Sequence, residues 1–330
     1  MGIDKRYITL NIIISFILLT IVSSCSQTDS LNEVNYSTSS ITITRSSQTE
    51  IYSATITNTL SFQATEKRIE TETPIQSSSA IIQPQLQDWK ELPVIPDSIS
   101  QRAMDIFEIG RKLQNNPYSF SVVGDCESSA SWFLGDFDLD KSHYDLGVYD
   151  NLLTVINAFH GSFSRKSYAV GNGYNSASIL SPFWADPEVC NPGETPLNCE
   201  IRLHHPSFVF VLLGTNDIYK VNSFESNMRV IIESLIDKGI IPVLATKADN
   251  LEGDNKINEI ITQLAFEYDI PLWNFWKVVQ DLPNHGLQND NAHLTWAGND
   301  FSDPSAMEKA WPWRNLTALQ VLDLLLKSVN

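Results

Sequence analysis

Three short apolar runs, Phe120 to Val123, Phe208 to Leu213 and Ile240 to Ala245, each stop abruptly at a turn, with Gly124 closing the first and Gly214 the second. Runs of this length, without a regular polar alternation, predict strands buried on both faces of a parallel sheet. Between the second and third, Met228, Ile231, Ile232, Leu235 and Ile236 recur at helical spacing across Ser223 to Lys238. Asn222 and Glu225 read as an N-terminal capping pair and Gly239 as the stop. Strand, helix and strand in that order make a βαβ unit. Further helices are expected from about Lys256 to Tyr268 and from Leu316 to Leu326, the latter capped by Asn315. An open three-layer α/β/α sandwich with a mainly parallel sheet follows, and such sheets bind ligands at the carboxyl ends of their strands.

The residues able to build this sandwich are unevenly placed. All eight tryptophans lie at Trp89 or beyond, and Gly2 is the only glycine of fourteen before Gly110. Residues 89–330 are therefore read as one folded domain. From Ser26 to Asp88, 23 of 63 residues are Ser or Thr, with no Gly or Trp. Such a stretch buries too little apolar surface to offset its ordering entropy and is expected to be a disordered stalk, residues 25–88 in all. Within it, Ile41 to Ile56 partly alternates Thr and Ile, which leaves a short strand open there.

At the N-terminus, Lys5 and Arg6 precede an apolar run from Tyr7 to Val22, too short for a bilayer span of about 20 residues. The run ends Val22-Ser23-Ser24-Cys25, which resembles the lipobox of bacterial lipoproteins. That resemblance implies a signal peptide over residues 1–24, lipidation of Cys25 and an extracytoplasmic, membrane-anchored protein. An uncleaved anchor or an ordinary signal peptide are the other readings, and both still place the remainder outside the cytoplasm. The formal charge of -17 argues against nucleic acid as a partner, since phosphates are held by Lys and Arg.

Four polar blocks recur along the domain, three of them at the ends of apolar runs: Gly124-Asp125-Cys126, Gly171-Asn172-Gly173, Gly214-Thr215-Asn216-Asp217 and, in a late loop, Asp290-Asn291-Ala292-His293. Their kind and order resemble the SGNH or GDSL hydrolase family over about residues 117–326. The resemblance implies a flavodoxin-like sheet and hydrolysis of carboxylic esters without a cofactor or metal. It also implies roles. Cys126 stands where the family has its nucleophilic serine. His293 would be the general base and Asp290 the residue that orients it. The oxyanion donors would be the Cys126 backbone N–H, Gly171 or Gly173, and the Asn216 side chain. Asp217 reads as a structural turn residue. Ser128 and Ser129 follow two and three residues later, off the nucleophile turn.

A thiolate beside a protonated histidine is intrinsically nucleophilic and would form a thioester. The cysteine also leaves open a catalytically inactive lipoprotein that binds glycan or another ligand in the same cleft. Of the other cysteines, Cys190 and Cys199 bracket a turn-like Asn191-Pro192-Gly193 and are expected to pair, leaving Cys126 outside any disulfide. His204, His205 and His285 read as loop residues. Trp296, Trp311 and Trp313, after the block of His293, either pack in the core or offer faces to a sugar ring or acyl chain. A small ester or neutral acylated carbohydrate is the preferred substrate, because the acidic surface disfavours polyanions.

Overall fold

The computed structural model describes residues 88–329. The signal segment, Cys25, the stalk as far as residue 87 and its Ile41 to Ile56 alternation lie outside the described residues.

In chain order the regular elements are α1 (Gln101–Lys112), β1 (Asn116–Gly124), β2 (Tyr144–Asp145), α2 (Leu153–Ala158), α3 (Ser176–Ile179), α4 (Pro196–His204), β3 (Pro206–Leu212), α5 (Val221–Ile236), β4 (Ile241–Ala245), α6 (Lys256–Tyr268), β5 (Leu272–Trp273), α7 (Phe275–Val279), β6 (Asn299–Asp300) and α8 (Ala310–Val329). Four strands form a parallel sheet in the order β1-β3-β4-β5, and β2 pairs with β6 in a separate two-stranded ladder. Helices α1, α2 and α8 form one layer, with α3 to α6 in the other. This is the α/β sandwich the apolar runs predict. Every residue of β3 and β4 is buried, which is why those strands read as continuous apolar runs instead of alternating ones.

The outer edge of β1 is covered by residues 165–171 without a full strand. Arg165 donates to the Phe120 carbonyl, the Ser167 hydroxyl donates to the Val122 carbonyl, and Gly124 N–H donates to Ala169. Side chains thus satisfy an edge that would otherwise template aggregation. Around β1, Phe120 meets Phe159, Phe163 and Phe210 edge-on, and Trp273 is fully buried with its Nε1 donating to Thr317 Oγ1 at 3.0 Å.

Helix α6 occupies its expected span, and Gly239 ends the helix before β4 in the left-handed region at φ 66°. Two caps differ from expectation. Helix α5 begins at Val221 with Lys220 as its N-cap, so Asn222 lies inside the helix; Glu225 instead pairs with Arg229 one turn on, at 2.7 Å. Helix α8 begins at Ala310, before Asn315, whose buried side chain accepts from Leu134 N–H and donates to Asn299. A buried asparagine with tertiary partners has the same local sequence as a cap, so the sequence does not separate the two roles.

Cys190 and Cys199 form a disulfide, and Cys126 takes no part in one. The bond joins the start of a turn, Glu194 N–H to Asn191 carbonyl, to the buried face of α4, where Arg202 grips Glu194 at 2.8 Å. Closing a loop of this size is expected to contribute about 2–3 kcal/mol. Cys190→Ser should therefore lower the free energy of unfolding by that amount, read by urea denaturation in non-reducing buffer, and an unchanged value would show that the crosslink does not stabilise the fold.

Candidate active site

The turn that carries Cys126 follows directly from β1. Asp125 has extended backbone, and its side chain accepts from Glu127 N–H at 3.1 Å, folding Cys126–Ser128 into a single 3-10 turn. Gly124 is required by contact: a Cβ there would lie 2.2 Å from Ser128 Oγ and 2.9 Å from the Leu212 carbonyl of the neighbouring strand. The same packing leaves Ser128 only 3% exposed, with an Oγ that has no hydrogen-bond partner. Ser129 Oγ lies 2.9 Å from Ser131 Oγ, turned to its own loop. Neither serine takes the place of Cys126 on the turn.

Each of the other three blocks is hydrogen-bonded to a residue within two positions of Cys126. Gly171 N–H donates to the Gly124 carbonyl at 3.3 Å. Asn216 Nδ2 lies 3.4 Å from Asp125 Oδ2 and donates to the Tyr174 carbonyl at 3.1 Å. Leu294, next to His293, donates its N–H to Glu127 Oε1 at 2.8 Å. Residues 91 and 167 positions apart in sequence are thereby gathered on one edge of the sheet.

The two glycines of the second block differ. Gly171 pairs with Gly124, and a Cβ on it would meet the Tyr174 ring at 2.6 Å. Gly173 has open space around it and needs glycine for its conformation, φ 69°. Asp217 is buried and accepts from both Ser176 N–H, at 3.1 Å, and Ser176 Oγ, at 2.6 Å, so it ties the third block to α3.

In the late loop, Asp290 Oδ1 accepts from Ala292 and His293 N–H, both at 3.0 Å, while Oδ2 holds His293 Nδ1 at 2.5 Å. A spacing of three lets one carboxylate fold the turn with one oxygen and hold the ring with the other. With Nδ1 engaged, Nε2 is the nitrogen able to accept a proton. Burial opposes a charge on His293, but the bond to Asp290 and the negative fields of Glu127 and Asp125 outweigh it and raise the ring above its usual value.

Three charged groups surround the turn. Asp125 is pushed up to about 7, first by burial and then by Glu127, with Arg314 opposing. Burial also raises Glu127. Arg314, buried in α8, donates to the Glu127 carbonyl at 3.0 Å, and its guanidinium lies 5.0 Å from the ring centres of both Phe133 and Trp311. A cavity of about 40 Å³ beneath the turn is lined by Asp125, Glu127, Asp249 and Arg314 among others, and by neither Cys126 nor His293. Lys247, on the same cavity, is engaged by Asp249 at 2.7 Å and Glu252 at 2.6 Å, so among the described residues lining the cavity Arg314 is the cation bonded to the Cys126 turn.

The raised carboxyl of Asp125 has a consequence for stability. Its folded value lies above the unfolded 3.8, so the folded chain binds this proton more tightly. The cost of ionising it grows as pH rises from about 4 to 7 and then levels at roughly 2–4 kcal/mol. Asp125→Asn should stabilise the chain by that order at pH 8 and by much less at pH 4.5, read by urea unfolding. An equal gain at both values would mean the carboxyl is not the cause.

Glu127 and Arg314 are not singled out by the sequence. They stand 187 positions apart, and no motif links them. Of the late tryptophans, Trp311 is buried and stacks on Trp132, Trp313 donates its Nε1 to the Met307 carbonyl, and Trp296 alone is open, at 62% exposure. His204 lies in the last turn of α4, not in a loop, and stacks on Tyr168 beside Glu200. His205 adopts the left-handed cap after α4, and His285 faces the Gln280 carbonyl.

The chain thus carries its four blocks on a parallel sheet with helices on both sides. No family model matches the sequence, and no curated protein matches it. Among solved structures the chain is similar to the psychrotrophic esterase EstA from Pseudoalteromonas sp., at 14% identity over 64% of this chain and 99% of that one, with a TM-score of 0.41. It is also similar to a GDSL-like lipase from Bacteroides thetaiotaomicron, at 13% identity over 67% and 96% of the two chains, TM-score 0.38. A third is a catalytic mutant of Axe2, an acetylxylan esterase from Geobacillus stearothermophilus, at 14% identity over 62% and 93%, TM-score 0.38.

Proposed function

We propose that residues 89–330 form a carboxylic ester hydrolase of SGNH type, with Cys126 as nucleophile and a neutral acylated carbohydrate as substrate. The observation that carries this reading is the Asp290–His293 bond of 2.5 Å in a loop that is itself hydrogen-bonded to the Cys126 turn. His293 Nε2 takes the proton from Cys126 Sγ, and the sulfur attacks the ester carbonyl carbon. The negative oxygen of the tetrahedral intermediate is received by Cys126 N–H, by Gly173 N–H and by Asn216 Nδ2, which gives up its long 3.4 Å contact with Asp125 Oδ2 to do so; Gly171 N–H is given to the Gly124 carbonyl within the sheet. Collapse expels the sugar alcohol, which takes its proton from His293. Water, deprotonated by His293, then attacks the thioester, releasing the acid and restoring the thiol.

A neutral substrate accords with the formal charge of -17, and Trp296, three residues after His293 in sequence, has an exposed aromatic ring. Membrane anchoring through a lipid on Cys25 belongs to the same proposal, and mass spectrometry of the mature N-terminus tests it independently. The purified protein should hydrolyse short p-nitrophenyl esters and an acetylated neutral oligosaccharide, and a trapped acyl adduct should map to Cys126. Loss of one oxyanion donor in Asn216→Ala should lower kcat by about 10²- to 10³-fold. Unchanged turnover in that variant would remove Asn216 from the mechanism.

One observation favours a second reading, a non-catalytic lipoprotein that binds glycan in this cleft. Cys126 stands between two acids, Asp125 and Glu127, whose charges oppose a thiolate.

A further inference from the structure

The loop that carries His293 is held from two sides by groups outside the four sequence blocks. On one side, the amide of Leu294 donates to Glu127 Oε1 at 2.8 Å, joining the residue after the histidine to the residue after the cysteine. On the other, the first turn of α8 bonds to Thr295: Ala310 N–H reaches Thr295 Oγ1 at 3.0 Å, and Trp311 N–H reaches the Thr295 carbonyl at 3.1 Å. The same helix supplies Arg314, 7% exposed, whose guanidinium donates to the Glu127 carbonyl at 3.0 Å and lies 4.0 Å from Glu127 Oε2. Glu127, Leu294, Thr295 and Arg314 thus form a closed circuit from the nucleophile turn to the histidine loop, on to α8 and back to the turn.

Such a circuit has a purpose in a site of this kind. Asp290 and His293 belong to an exposed loop whose regular pairing is limited to one bridge, Leu287 with Leu294. Asp290 fixes the ring relative to its own loop, and nothing in that bond fixes the loop relative to Cys126. Proton transfer needs heavy atoms within hydrogen-bond reach, and a shift of about 1 Å can cost roughly 10²-fold in rate. A carboxylate buried beside a guanidinium is costly to assemble and is retained where it sets geometry.

We propose that Glu127 is a positioning residue whose carboxylate, held in place by Arg314, locks the His293 loop to the Cys126 turn. Its catalytic consequence rests on the reading of Cys126 and His293 as nucleophile and base. The lock itself does not. It requires only that the Leu294 amide be held by the Glu127 side chain and released when that oxygen is removed.

The test compares the full chain with Glu127→Ala and Glu127→Gln. Glutamine keeps an oxygen able to accept from Leu294 and is nearly the same size, so it serves as the folded control if the alanine variant is unstable. By residue-resolved hydrogen exchange, the Leu294 amide should lose protection by tenfold or more in Glu127→Ala and keep it in Glu127→Gln. Protection retained in Glu127→Ala, or lost equally in both, would overturn the lock. With p-nitrophenyl acetate, kcat should fall by about 10- to 100-fold in Glu127→Ala with KM within twofold of the parent, and Glu127→Gln should restore most of it. A rise in KM at constant kcat, or no rescue by glutamine while exchange protection is intact, would overturn the positioning role. A parent chain that hydrolyses no ester defeats the proposed function and leaves the exchange comparison to judge the lock on its own.

Discussion

His293→Ala should lower kcat for short p-nitrophenyl esters by about 10²- to 10⁴-fold while leaving the fold intact. The size follows from the double duty proposed for Nε2, which would accept the thiol proton and later return it to the leaving alcohol. The side chain is 26% exposed and sits in a loop, so its removal opens no core cavity. The melting temperature should stay within a few degrees of the parent, which separates a chemical loss from unfolding. Asp290→Ala is expected to reduce kcat as well, since it frees the ring and also removes the acceptor for two backbone amides of the same turn. Full activity in His293→Ala would exclude this loop from the reaction.

The Cys126 series has the other large effect. If the thiol reacts, Cys126→Ala abolishes turnover to background, because no other side chain takes the place of Cys126 on this turn; Ser128 is packed beneath Gly124 and Ser129 faces Ser131. Cys126→Ser should then be slower than the parent by tenfold or more, since an alcohol depends wholly on His293 for deprotonation. The opposite result is equally informative. Activity absent in the parent and present in Cys126→Ser would identify a ligand-binding protein on a hydrolase frame, one in which the carboxylates of Asp125 and Glu127 keep the thiol inert. If Cys126→Ala keeps full activity, the reaction runs through another residue. Burst kinetics and mass detection of an acyl adduct decide these cases, and the measurements belong in a reducing buffer because a reactive thiol is open to oxidation.

Much of the site is legible because its residues work through local backbone rules. Asp290 and His293 are recognisable at a spacing of three because a single turn must bring carboxylate to ring, and the structure closes that turn with two amides on Asp290 Oδ1. Gly124 and Gly214 mark strand ends for a related reason. A side chain at Gly124 would strike its neighbours, and Gly214 carries a φ of 136°. The expected cap at Asn222 fails because capping propensity is a local preference of about 1 kcal/mol, less than the packing of α5 can override.

The distribution of apolar runs, the residues within each of the four blocks and the pairing of Cys190 with Cys199 were determined by sequence alone, because each depends on residues near one another in the chain. Which glycine amide is already taken, which of the late tryptophans is buried and what charge surrounds Cys126 were decided by tertiary structure. Arg314 reaches Glu127 across 187 positions, and only the packing of α8 against the end of the sheet brings the two together. Electrostatic fields depend on distance through space and on burial. Neither quantity is written in the order of residues, so the chain displays where its candidate site residues are and conceals the charges around them.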